Sequence, residues 1–400
     1  MAVVEIPGLV LSLALVLAAA KAGGYLAGKA HLPPVLGELG AGLLLGNLAL
    51  AGVSRLDYLK TDPGIDLAAR IAVILLLFHA SVESTIGEMR RLGGPALLIA
   101  LTGIAGSFAA TWTVARLLLP DAAPLAQVFA AASLSATSVG VTARVFRDLG
   151  CAKSSSAHLI LAAAVFDDVF ALLILAVLGA TGAIPVVLLK AAIFLVGGLA
   201  IGAFVSPRLL SVASRSMAIV LLTAALAFCF AMAWLSSLFG LAPIIGAFAA
   251  GVAVEEWHYK DFITRKEKTL DDLITPLASW VVPIFFVTIG IRTELSGLAR
   301  PRVVMLAAAL TAAALIGKQL CALGARSASA TVDRIAVGLG MMPRGEVTLI
   351  FANLGLTLVA AGRPLVSADT FLALVVTVIA TTIVTPVALK WRLSTARRRS

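Results

Sequence analysis

The chain has 400 residues, with 31 Lys and Arg against 21 Asp and Glu, giving a formal net charge of +10. Only 13% of it is charged and 60% is hydrophobic, and the mean hydropathy is +1.05. Soluble domains carry about 25% charged residues, so a large soluble enzyme, a disordered chain and a coiled coil are excluded and a polytopic membrane protein remains.

A bilayer core of roughly 30 Å takes about 20 apolar residues as a helix. Reading apolar runs between clusters of Pro, Gly and charge predicts thirteen spans: 7–27, 33–50, 66–82, 94–119, 125–146, 155–179, 184–205, 216–236, 241–254, 271–291, 302–323, 333–359 and 369–390. The connections are short, so the whole chain is expected to be one integral membrane domain. No Lys or Arg precedes the first run, and the first charge of the N-terminus is Glu5, so the run is expected to be a retained span rather than a secretory signal. Cys151, Cys229 and Cys321 are scattered without a CxxC pair, which supports neither a disulfide framework nor a zinc site.

An odd number of spans places the two ends on opposite sides. One set of connections, with the basic tail 391–400, holds nineteen Lys and Arg, among them Arg90, Arg91, Arg144, Arg265 and Lys266; the other holds six, including Arg55, Arg292 and Arg363. The positive-inside rule then predicts an external N-terminus and a cytoplasmic C-terminus. The excess charge follows from topology and contact with anionic lipid, and no basic soluble face is available for nucleic acid.

Internal similarity appears at one offset. Pro34-Val-Leu-Gly37 with Gly42 matches Pro243-Ile-Ile-Gly246 with Gly251, each 209 residues apart. An offset of seven spans turns the second copy over in the membrane, the inverted-topology repeat of secondary transporters. The halves are predicted as 1–179 and 216–390, joined by a linker helix at 184–205. Spans five and twelve then correspond, and both are interrupted, by Ser133-Leu-Ser-Ala-Thr-Ser-Val-Gly-Val-Thr142 and by Gly340-Met-Met-Pro-Arg-Gly-Glu-Val-Thr348. Such breaks point to discontinuous helices around a midplane site.

Ionisable groups inside a membrane cost about 2.5–3.5 kcal/mol each on insertion scales, so each needs a partner or a purpose. Asp167 and Asp168 lie in the middle of span six, in Phe166-Asp-Asp-Val169. Adjacent helical residues point about 100° apart, so one carboxylate can be paired while the other lines a cavity. Lys318 in span eleven either snorkels to the interface or bridges to one of the aspartates. Arg344 and Glu346 in the break of span twelve either neutralise one another, or Glu346 also tunes the site. Glu38 and Glu83 read as structural or interfacial, and His79 as a packing histidine. No GxSxG, HExxH, Walker A or dinucleotide fingerprint is present, and two neighbouring aspartates on one helix cannot face each other as an aspartyl-protease pair does. An enzyme is not expected.

The combination of Ala136-Thr-Ser-Val-Gly-Val-Thr-Ala-Arg144, Phe166-Asp-Asp-Val169, Leu241-Ala-Pro-Ile-Ile-Gly-Ala-Phe248, Pro283-Ile-Phe-Phe-Val-Thr-Ile-Gly290, Lys318 and Pro343-Arg-Gly-Glu-Val347 resembles the monovalent cation:proton antiporters, and within them the electrogenic NapA-like bacterial sodium/proton antiporters. The resemblance implies the all-α sodium/proton antiporter fold with two inverted repeats and broken crossing helices. It further implies a homodimer with a dimerisation domain and a six-helix core that moves like an elevator, and no cofactor beyond the transported Na⁺ and H⁺. In that pattern Asp168 binds the cation, Asp167 pairs with Lys318, Thr137 and Ser138 supply further oxygen ligands, and Glu346 falls on an acidic position associated with the core. A departure stands after span three, where the family often has Gly-Leu-Glu and this chain has Ser81-Val82-Glu83. Potassium-efflux relatives usually carry Gln-Asp, and the electroneutral branch Asn-Asp, in place of Asp167-Asp168.

Small hard cations favour oxygen ligands, and a proton and Na⁺ competing for Asp168 would couple their fluxes. The expected activity is exchange of cytoplasmic Na⁺, or Li⁺, for external protons by alternating access. A potassium/proton antiporter and a sodium-coupled organic-anion symporter remain as alternatives at this stage.

Overall fold

The computed structural model of the chain describes residues 6–30, 32–52, 55–82, 86–138, 142, 146, 151, 154–179, 189–190, 193–194, 197–198, 204–205, 218–254, 269–328, 332–360 and 362–397. Its helices, in order, are α1 (Ile6–Lys29), α2 (Pro34–Gly46), α3 (Pro63–Val82), α4 (Ile86–Leu118), α5 (Pro124–Ser133), α6 (Ser155–Gly179) and α7 (Ala218–Leu238). There follow α8 (Pro243–Val252), α9 (Leu270–Arg292), α10 (Pro301–Lys318), α11 (Cys321–Gly324), α12 (Arg334–Gly340), α13 (Glu346–Thr357) and α14 (Ala368–Arg397). Among the described residues eight helices are long and apolar enough to cross a membrane, and α2, α5, α8 and α13 are shorter apolar helices. Twelve of the thirteen expected spans coincide with these helices, spans five and twelve as interrupted ones. The seventh, 184–205, lies mostly outside the described residues.

Proline sets many of the starts. Pro34, Pro124, Pro243 and Pro301 each stand in the first turn, where a missing N–H removes no helical bond and the fixed φ suits the helix. The second span is shorter than expected because Asn47 follows Gly46 and turns its side-chain amide back onto the Leu43 carbonyl at 2.9 Å, capping the helix. Beyond α13, Val359–Ala360 (β1) and Arg363–Pro364 (β2) form a two-residue antiparallel hairpin in place of the predicted helical end.

The chain divides into two compact units, residues 1–87 with 179–292, and residues 88–178 with 293–400. Each draws helices from both halves of the sequence.

In the first unit α2 packs on α1 and α9, and α8 on α3 and α7. A β-carbon on Gly42 would collide with the main chain of Val287, and one on Gly251 with the Phe78 carbonyl and the Ser81 side chain. Gly42 and Gly251 are 209 apart, as are Phe78 and Val287, so the repeat seen in the sequence reappears as two equivalent close contacts, α2 on α9 and α8 on α3. Only a residue without a side chain allows backbones to approach so closely.

The second unit holds α4–α6 and α10–α14. One of its apolar clusters gathers Ile99 of α4, Ile160 and Ala163 of α6, Cys321 of α11, Val337 of α12 and Leu389 of α14. Phe129 of α5 and Phe351 of α13 pack ring to ring, with centroids 5.8 Å apart.

Candidate ion-binding site

The interruptions of spans five and twelve meet inside the second unit. Helix α5 ends at Ser133, where hydroxyls compete for the helical carbonyls: Ser133 Oγ donates to Phe129 O at 2.8 Å and Ser135 Oγ to Ala132 O at 2.7 Å. Helix α12 ends at Gly340, ahead of Pro343, which lacks an N–H and disfavours helical geometry at Met342. The two non-helical stretches then satisfy each other. The Ser138 N–H donates to Pro343 O at 2.8 Å, Thr137 Oγ1 to Met341 O at 3.0 Å, and Thr142 Oγ1 to Gly340 O.

Asp167 reaches this crossing from α6 and is completely buried. Its Oδ1 accepts from Lys318 Nζ at 2.8 Å and its Oδ2 from the Thr137 N–H at 2.6 Å. Lys318, at the end of α10, is equally buried and also donates to Ser135 O at 2.7 Å. It forms an internal bridge and does not snorkel. Removing both charges from water costs several kcal/mol per ion, which the mutual attraction and the two further hydrogen bonds offset.

Arg344 corrects one of the two sequence readings: it does not neutralise Glu346. Its guanidinium is wholly buried and donates to Ala136 O at 2.6 Å, Ser135 O at 3.3 Å, Ser107 Oγ at 2.8 Å and Ala314 O at 3.2 Å. The carbonyl-rich C-terminal end of a helix attracts cations, and Arg344 and Lys318 both sit at that end of α5. Gly345, with φ −160° and ψ −128°, separates the two side chains and sends them apart. The main chain of Arg344 is anchored to α14, its N–H on Thr381 Oγ1 at 3.2 Å and its carbonyl on Thr382 Oγ1 at 2.6 Å.

Glu346 opens α13, where the positive end of the helix dipole suits an acid. Its Oε2 accepts from Ser138 Oγ at 2.8 Å. Asp168 stands beside this pair and is only half-buried. Its Oδ1 is covered and has no hydrogen-bond partner among the described residues. The charged groups that act on it are Glu346, Asp167 and Lys318.

The predicted residues thus fall into two adjoining networks. Asp167, Lys318 and Thr137 form one, and Ser138 and Glu346 the other, with Asp168 next to the second and its Oδ1 without a hydrogen-bond partner among the described residues. Carboxylate, hydroxyl and opened main-chain carbonyls are the donor set a hard monovalent cation takes. Ser107, Thr381 and Thr382 escaped the sequence reading. A hydroxyl in an apolar helix normally bonds its own preceding turn, as Thr381 also does to Thr377 O at 2.9 Å, so nothing in the sequence singled them out. His79 lies in the other unit, on Asp271 Oδ1 at 2.8 Å, and Glu38 is half-buried on α2. Glu83 and Arg144 lie outside the described residues.

The whole-chain comparisons agree with this architecture. Residues 12–395 match the family model of the sodium/hydrogen exchanger, transmembrane. The chain is 32% identical to the high-affinity Na⁺/H⁺ antiporter NhaS3 of Synechocystis, over 95% of its own length and 88% of that protein. It is 34% identical to the Na⁺/H⁺-K⁺ antiporter GerN of Bacillus cereus over 95% of both chains. The solved structure of the sodium proton antiporter MjNhaP1 from Methanocaldococcus jannaschii at pH 8 superposes with a TM-score of 0.71, covering 96% of each chain at 16% identity, which shows a shared fold. A family model spanning nearly the entire chain, two long alignments above 30% identity and the same helical fold place this protein in the sodium/hydrogen exchanger family, among the monovalent cation:proton antiporters.

Proposed function

We propose that the protein is a secondary active antiporter that exchanges Na⁺ for H⁺ across a bacterial inner membrane by alternating access, with Asp168 as the side chain that carries either ion. The observation behind this reading is the unequal treatment of two neighbouring carboxylates. Asp167 accepts a donor on each oxygen, whereas Asp168 Oδ1 is sheltered without any donor among the described residues. A covered carboxylate oxygen without a donor is costly unless a proton or a cation completes it.

The exchange follows from that geometry. Na⁺ arriving at Asp168 displaces its proton, and a proton arriving from the other side displaces Na⁺. The empty, bare carboxylate is the form least able to cross, because uncompensated charge is expensive in the membrane. Ser138 Oγ is near enough to the same acidic pair to serve as a neutral ligand, since it already touches Glu346, and Thr137 borders it. The Lys318–Asp167 bridge offers a second exchangeable proton, so that two protons exchange for one Na⁺ and one net charge moves. A membrane potential then contributes about 2.3 kcal/mol per charge per 100 mV. By the same reading the protein is a homodimer with an external N-terminus and a cytoplasmic C-terminus.

Potassium is a second candidate cargo, because GerN is named as a Na⁺/H⁺-K⁺ antiporter and the oxygen donors here also suit K⁺. Reconstitution in proteoliposomes tests both readings. Wild-type protein should acidify or alkalinise the lumen on a Na⁺ gradient, and Asp168→Asn should give no flux above protein-free vesicles. Full Na⁺-driven proton flux in Asp168→Asn would refute the assignment. Competition by K⁺ against Na⁺ decides the cargo, and a rate and endpoint unaltered by an imposed potential would refute electrogenic exchange.

A further inference from the structure

Among the described residues Glu346 has no ion-pair partner; its hydrogen-bonded neighbour is Ser138. Arg344, two residues before it, directs its guanidinium to Ser135 O, Ala136 O, Ala314 O and Ser107 Oγ, and Lys318 is committed to Asp167 and Ser135 O. What Glu346 does hold is the hydroxyl of Ser138, at 2.8 Å.

A serine hydroxyl has one proton and two lone pairs, and a carboxylate can only accept. The Ser138 proton therefore points at Glu346, and the lone pairs of Oγ point elsewhere. The neighbouring Asp168 supports that orientation, since its Oδ1 receives no hydrogen bond from Ser138 or from any other described residue. Among the described residues, then, no donor is seen on Oδ1 of Asp168 or on Oγ of Ser138, and both keep lone pairs. The main chain at Gly345 keeps the Ser138–Glu346 pair closed, because a β-carbon there would stand 2.7 Å from both Cβ and Oγ of Ser138.

Resting on the antiport function above, we propose that Glu346 is a positioning residue for the transported cation: by holding the Ser138 proton it turns the Ser138 oxygen into a ligand that acts together with Asp168. Glutamine at 346 can donate as well as accept. It would occupy an Oγ lone pair and release the hydroxyl proton towards Asp168, where it competes with the cation.

The test is a double-substitution cycle on Ser138 and Glu346, reading the KM for Na⁺ and the kcat of exchange in proteoliposomes. Glu346→Gln should raise KM about tenfold, the loss of one charge-assisted contact, with kcat within about twofold. Ser138→Ala should raise it to a similar degree, and the double variant should be no worse than the more affected single one, as expected of groups acting through one contact. Glu346→Asp keeps an acceptor and should lie between wild type and Glu346→Gln. Because Glu346→Gln could unfold the protein, stabilisation of the purified Glu346→Asp and Ser138→Ala proteins by added Na⁺ gives the affinity independently of transport.

Multiplying single effects in the double variant would overturn the inference, since Glu346 would then act apart from Ser138. An unchanged Na⁺ affinity in Glu346→Gln, or in both Glu346→Asp and Ser138→Ala, would overturn it too. Absence of Na⁺-driven proton flux in the wild type would instead refute the function itself, so the two failures are distinguishable.

Discussion

In the unit built from residues 1–87 and 179–292, ion pairs sit where helices α3 and α9 begin and end. Asp66 in the first turn of α3 accepts from Arg292 in the last turn of α9 at 2.7 Å, and also from Arg70 at 2.7 Å. At the opposite ends His79 meets Asp271 at 2.8 Å. These side chains keep between a fifth and about two thirds of their surface exposed. In the unit built from 88–178 and 293–400, Asp167, Lys318 and Arg344 are wholly buried at a crossing of two broken helices. The first arrangement ties two continuous helices together at both ends and leaves the middle to glycine-mediated contact. The second gathers charge around the breaks, and gives the carbonyls of Leu134, Ser135, Ala136, Gly340, Met341, Pro343 and Arg344 a cation, hydroxyl or N–H. A scaffold needs no interior charge, whereas a site for an ion cannot exist without it.

Lys318→Met tests the dry side of that contrast and should have the largest effect. It strands Asp167 in the interior, a loss of about 3–5 kcal/mol in stability, read as a lowered unfolding temperature in detergent. Replacing Asp167 by Leu in the same protein should restore much of that stability without restoring exchange, because apolar groups of similar volume can substitute for a buried pair. Gly42→Ala comes next. Its methyl group meets the Val287 main chain, and overpacking of this kind costs about 1–3 kcal/mol. The KM for Na⁺ should stay at the wild-type value in whatever protein folds, and a shift in KM would break the division between the units. His79→Ala should matter least, about 0.2–1 kcal/mol, since its partner Asp271 is well exposed. A loss as large as that of Lys318→Met would show that the wet pairs are not peripheral.

Much of this was legible in the sequence, for physical reasons that particular residues illustrate. An aspartate pair flanked by apolar residues has no place in a membrane without a function, so Asp167 and Asp168 stood out at once. Prolines at the first turn announced α2, α5, α8 and α10, and the Pro34–Gly42 pattern repeated at Pro243–Gly251 pointed to the close helix contacts that the structure contains. The partners were harder to read. Periodicity places Arg344 and Glu346 side by side in a break, but only the backbone turn at Gly345 decides that one goes to the carbonyls of α5 and the other to Ser138. The hydroxyls of Ser107, Thr381 and Thr382 gave no signal, because a hydroxyl that satisfies its own helix and one that anchors a neighbour look alike in sequence.

The central claim is that a proton and Na⁺ take turns on Asp168. The most direct measurement is proton release from purified protein in weakly buffered detergent as Na⁺ is added. The account predicts release from the wild type, greater when the starting solution is more acidic within the range where the protein stays folded, and none from Asp168→Asn. Equal release from the two proteins would contradict it.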